Sequence, residues 1–81
     1  MNDTQGLLTE IDNTITQYEQ TLATLDHDDI RVDHLVGDGI ELHSVVRELR
    51  SAVPAGRATH QQVVELANRA ARFARRVTEV S

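Results

Sequence analysis

The chain has no cysteine, tryptophan or lysine, a single proline, and only two aromatic residues, Tyr18 and Phe73. Without cysteine it forms neither disulfides nor thiolate metal sites. Two aromatic residues are too few for a module that stacks nucleic-acid bases. No apolar run approaches the roughly 20 residues that span a bilayer. The polar start of the chain also differs from a signal peptide. We therefore expect a cytoplasmic protein with no membrane contact.

The length of the chain, 81 residues, suits a single domain covering 1–81. A domain this small buries only about 60–65 % of the surface of its unfolded chain. Small domains usually gain further stability from disulfides, a metal or association. Since disulfides are excluded, we expect a homo-oligomer.

Charge is distributed unevenly along the chain. Residues 1–48 contain eleven acidic and two basic residues, whereas residues 49–81 contain two acidic and six basic ones. Two halves of opposite charge attract each other, so we expect the chain to fold back and pair them at its surface. Exposed ion pairs of this kind contribute only about 0–1 kcal/mol each.

Three segments carry apolar residues at alternating spacings of three and four, which is typical of one helical face. The first row is Leu8, Ile11, Ile15, Tyr18, Leu22 and Leu25, and the third is Val63, Leu66, Ala70, Phe73, Val77 and Val80. Asn2 with Gln5 and Thr59 with Gln62 have the spacing of capping boxes at the starts of these helices. The first helix should end near Asp26.

The middle segment permits two interpretations. Its apolar row, Val32, Leu35, Gly39, Leu42, Val46, Leu49 and Val53, favours one continuous helix. Gly37 and Gly39 together cost about 2 kcal/mol inside a helix, and Asp38 with Glu41 has capping-box spacing. We expect a short helical turn near 29–36, a break at 37–38 and a helix over 39–52. The sequence thus predicts an all-α antiparallel bundle of three main helices, with a fourth short helix if the break is present.

One acidic segment gathers side chains able to bind a metal ion, namely His27, Asp28, Asp29, Asp33, His34, Asp38, Glu41 and His43. On one continuous helix His34, Asp38 and Glu41 would share a face. The paired Glu-x-x-His motifs of metal sites in bundles are absent. The neighbours His43 and Ser44 diverge on a helix, so they cannot form a nucleophile–base pair. We therefore expect no bound metal, no cofactor and no enzymatic activity.

Two short stretches resemble known families. Gly37-Asp38-Gly39-Ile40 looks like the attachment site of acyl carrier proteins, but Gly39 stands where that family has the serine that carries phosphopantetheine. Residues 22–42 are similar to the helical hairpin of the small subunit of exonuclease VII. There Asp29-Ile30 takes the place of an acidic-Leu pair, and Gly39 that of a helix glycine. The first resemblance implies a carrier-like protein and the second a small nuclease subunit, and we assign the chain to neither family.

The last helix combines a broad apolar stripe with a row of arginines. We predict that it binds a partner protein through Val64, Ala67, Ala71, Phe73, Ala74, Arg69, Arg72 and Arg76. The predicted function is that of a non-enzymatic interaction module: an accessory subunit, a chaperone or an antagonist. An alternative is a nucleic-acid-associated factor that uses Arg69, Arg72 and Arg76. A more distant alternative is a carrier-like or metal-binding helical protein.

Overall fold

The computed structural model describes residues 3–81, and in this range the chain forms three α-helices and no strand. Helix α1 covers Asp3–Ala23, α2 covers Ile30–Ala52 and α3 covers His60–Val80. All three pairs of helices are in contact. This confirms the predicted small all-α bundle.

Contacts between the helices define their directions. Thr4 near the start of α1 is hydrogen-bonded to His60 at the start of α3, so these two helices run parallel. Along α2 the order is reversed, because Glu41 pairs with Arg69 and the earlier residue Asp38 pairs with the later Arg76. Helix α2 is therefore antiparallel to both of its neighbours.

One hydrophobic core joins the three helices, and the predicted rows of apolar residues supply it. Its buried side chains are Leu8, Ile11, Ile15, Leu22, Val32, Leu35, Leu42, Val46, Leu49, Val63, Leu66, Ala70, Phe73 and Val77. Tyr18, Leu25, Val53 and Val80, at the edges of these rows, are half-buried and pack against the core.

The structure tests two of the predicted helix ends. Gln62 N–H donates to Thr59 Oγ1 and Thr59 N–H donates to Gln62 Oε1, so the capping box of α3 is confirmed. Helix α1 ends at Ala23, three residues before the predicted Asp26. The other predicted box includes Asn2, which lies outside the described residues.

The predicted break at 37–38 is wrong, because α2 is one continuous helix and no separate helix covers 29–36. Asp38 is not a helix cap either. The N-cap is Asp29, whose Oδ1 accepts a hydrogen bond from Arg31 N–H at 2.9 Å. The unbroken helix buries Val32 and Leu35 on the same face as Leu42. That burial outweighs the helix propensity lost at Gly37 and Gly39.

The predicted pairing between the acidic and the basic part of the chain is confirmed. Arg50, Arg69 and Arg76 in the basic part lie 3.6, 3.5 and 4.0 Å from Asp12, Glu41 and Asp38 in the acidic part. All three arginines are exposed, so each of these pairs contributes little to stability. Within residues 3–81, no helix has the length and apolar character needed to cross a membrane.

Candidate interaction surface

The apolar stripe predicted to bind a partner on α3 lies partly inside the bundle. Phe73 is 4 % exposed and belongs to the core. Val64, Ala67 and Ala74 are half-buried, and Ala67 packs directly against the core. Only Ala71 among the predicted apolar contacts is exposed. Most of the predicted apolar stripe is therefore covered, wholly or in part, by the bundle itself.

The arginine row of α3 is divided between two environments. Arg69 and Arg76 reach carboxylates of α2, as described above. Arg72 and Arg75 are exposed, and neither has an ion-pair partner among the residues that the structure describes. The row is thus not a continuous free basic surface, since α2 neutralises two of its members.

Helix α2 has a second face with apolar character, directed away from the core. We call it the outer face of α2. Its residues recur at alternating spacings of three and four, and all are exposed: Ile30, Asp33, Gly37, Ile40, Ser44 and Arg47. Ile30 and Ile40 are 68 % and 63 % exposed and are the exposed large hydrophobic residues of the described chain. A single exposed isoleucine is ordinary on a protein surface. Ile40, however, lies between Gly37 and Ser44 on this face, and their small side chains would let a second helix approach α2 closely.

The two glycines of α2 differ in their surroundings. A Cβ atom on Gly39 would lie 2.9 Å from Glu19 Oε2, so α1 packs tightly against this position. A Cβ atom on Gly37 would meet nothing within 4 Å, and Gly37 does not have a positive φ. Nothing in the described chain therefore requires glycine at position 37, although it weakens the helix by about 1 kcal/mol relative to alanine.

A polar cluster joins α1 to α2 around His43. Its Nδ1 lies 3.0 Å from Asp12 Oδ1, and its Nε2 contacts Glu19 Oε1. A neutral imidazole donates from only one nitrogen, whereas the protonated ring donates to both carboxylates. The sequence singled out His43 but not its partners. Their signal is weak: Asp12 and Glu19 stand seven residues apart, beside Ile11 and Tyr18 of the apolar row.

The acidic and histidine side chains named above as able to bind a metal ion do not converge. In the part of the chain that the structure describes, no three His, Asp or Glu side chains are grouped to hold a metal ion. Asp38 and Glu41 point toward arginines of α3 instead. An open cleft of about 780 Å³ between α2 and the end of α3 is lined by charged side chains of both signs, including Arg31, Asp33, Asp38 and Arg76. Gly37 also lines this cleft.

The start of α2 carries a local electrostatic contact. Arg31 Nη2 lies 2.9 Å from Asp29 Oδ2. This side-chain hydrogen bond, together with the one from Arg31 N–H, lowers the pKa of Asp29 below its ordinary value. The same carboxylate raises the pKa of Arg31. The pair caps the start of α2.

Comparison of the chain with protein-family models, curated proteins and solved structures found no match. Neither family resemblance of the sequence gains support from it. The carrier-like one is further weakened by the geometry, because Gly37–Ile40 lies in the middle of a helix rather than ahead of one.

Proposed function

We propose that the protein is a non-enzymatic interaction module that binds a helix of a partner protein through the outer face of α2. One observation carries this proposal. Ile40 is 63 % exposed and lies beside Gly37, and a Cβ atom added at Gly37 would meet nothing within 4 Å. The matching partner is an α-helix with an aliphatic side chain for the Gly37 notch and charges complementary to Asp33 and Arg47.

This proposal keeps the predicted class of function but moves the docking face from α3 to α2. Phe73, Ala67 and Ala70 of α3 pack in the bundle, whereas Ile40 contributes nothing to the core. Cytoplasmic location remains part of the proposal.

The experiment is photo-cross-linking in the native cell from a benzoylphenylalanine placed at position 40. Asn68, exposed and polar on α3, is the matched control position. We expect a discrete adduct from position 40 whose attachment point maps to a helical segment, and no such adduct from position 68. No adduct from position 40, or the same adducts from both positions, would contradict the proposal.

Nucleic-acid binding is the second candidate, and exposed Arg72 and Arg75 are the observation in its favour. The ion pairs of Arg69 and Arg76 weaken it. Fluorescence anisotropy with labelled single- and double-stranded oligonucleotides separates the two candidates. Binding that falls steeply with added salt and is lost in Arg72→Ala would favour nucleic acid over a protein partner.

A further inference from the structure

We infer that the helix bound by the outer face of α2 is α2 of a second copy, packed antiparallel about a two-fold axis. This inference rests on the proposed function and names its partner. The outer face is complementary to itself in both shape and charge, which is the property that a two-fold contact between identical surfaces requires.

The complementarity of shape comes from Ile40 and Gly37. They stand three residues apart on one exposed face. In an antiparallel pair whose axis passes between residues 38 and 39, each Ile40 lies over Gly37 of the other copy. The two-fold axis makes this contact twice. This antiparallel arrangement also accounts for the glycine at position 37, which the packing within one chain does not require.

The complementarity of charge comes from Asp33 and Arg47, which are exposed at opposite ends of the same face. The antiparallel arrangement brings Asp33 of each copy to the end where Arg47 of the other copy lies. A parallel pair would place Asp33 beside Asp33 and Arg47 beside Arg47. Charge therefore selects the antiparallel orientation.

The test is sedimentation equilibrium of the purified full chain over about 1 µM to 1 mM. We expect wild-type protein to form a dimer. Asp33→Arg alone and Arg47→Asp alone each replace two attractive pairs by two repulsive ones, so each should weaken the dimer by about ten-fold or more. An equimolar mixture of the two variants should dimerise as the wild type does, and so should the double variant.

Gly37→Ala keeps the experiment decisive if a charge variant folds poorly. Alanine should raise the stability of the isolated chain through its better helix propensity and still weaken the dimer several-fold by filling the notch. Weaker association in a more stable protein cannot result from misfolding. Ile40→Asp should abolish the dimer while circular dichroism shows an unchanged helix content.

A wild-type protein that stays monomeric throughout this range would overturn the inference, as would a dimer indifferent to Asp33→Arg. The proposed function has its own criterion. A monomer that is still cross-linked from position 40 to a different protein would retain the docking face and exclude the second copy as its occupant.

Discussion

Glu19 of α1 lies directly against Gly39 of α2, so closely that a Cβ atom at position 39 would stand 2.9 Å from Glu19 Oε2 and 3.1 Å from its Cγ. Because Glu19 also contacts His43, any side chain at position 39 disturbs the polar cluster between the two helices.

The first prediction compares this glycine with its open neighbour. Gly37→Ala should raise the free energy of unfolding by about 1 kcal/mol, since alanine favours the helix and meets nothing. Gly39→Ala should give no gain, because displacement of Glu19 offsets the propensity. Gly39→Leu should lose about 1–3 kcal/mol by overfilling. Urea denaturation followed by circular dichroism at low protein concentration measures all three. Equal gains in the free energy of unfolding from Gly37→Ala and Gly39→Ala would show that the contact between Glu19 and position 39 does not affect stability.

The second prediction concerns His43 and Asp12. A double-mutant cycle with His43→Ala and Asp12→Ala should give a coupling energy of about 1 kcal/mol or more, because the half-buried ring and carboxylate are only 3.0 Å apart. The internal control is Asp12 with Arg50, which lie 3.6 Å apart in a more exposed setting. That coupling should be under about 0.5 kcal/mol. The reverse order of the two couplings would contradict this account of the cluster.

The third prediction assigns Phe73 to the core. With 4 % exposure, Phe73→Ala should lose about 3–5 kcal/mol. Since each kcal/mol shifts the thermal midpoint of a domain of this size by about 4–8 °C, the midpoint of the variant should fall by roughly 12–40 °C. Arg72→Ala, one residue away and exposed, should leave the thermal midpoint nearly unchanged. A Phe73→Ala protein with an unchanged thermal midpoint would contradict the assignment of this side chain to the core.

The fourth prediction is a pH dependence at the start of α2. The lowered pKa of Asp29 means that its stabilising effect is complete above the ordinary carboxyl pKa and is lost as the pH falls through the lowered value. Carboxyl-carbon NMR should show Asp29 titrating below the ordinary range of an aspartate carboxyl group.

Asp29→Asn is the variant that checks this sign. It keeps an N-cap side chain but removes the ionised partner of Arg31, so its acid titration of stability should be flatter than that of the wild type. Asp28→Asn serves as the control, because the Asp28 side chain is exposed and caps no helix. A change in the Asp28 variant equal to that in the Asp29 variant would contradict the assignment.

Much of this fold could be predicted from local sequence, because the rows through Ile15, Leu42 and Val63 repeat the helical period over many turns. The prediction failed at Gly37 and Gly39, where a local penalty of about 2 kcal/mol suggested a break. The free energy gained from apolar contacts along the whole of α2 exceeds this penalty. Those contacts are made with α1 and α3, whose positions cannot be read from the sequence around the two glycines.

The candidate sites were harder to predict from the sequence than the helices, because they depend on how the helices pack together. Nothing in the spacing of Asp12 and Glu19 indicates that His43 stands between them, since the register of α1 against α2 is fixed by core packing. Likewise, Phe73 could be recognised as an apolar contact of α3, but whether it faced a partner or the bundle depended on the positions of α1 and α2. Ile40 was not predicted to contact a partner, because it falls outside the apolar row of its helix.

The parallel course of α1 and α3 has a mechanical consequence. Thr4 and His60 mark a shared starting end, so the chain enters at one end of a molecule 42 Å long and leaves at the other. Tension applied between the two ends therefore runs along the helices, and it must slide the buried rows of α1 and α3 past α2. Sliding loads many core contacts at once. If the first and last helices ran in opposite directions, the same tension would peel them apart and load the contacts one turn at a time. Pulled from its ends, this bundle should resist more than one whose first and last helices run in opposite directions.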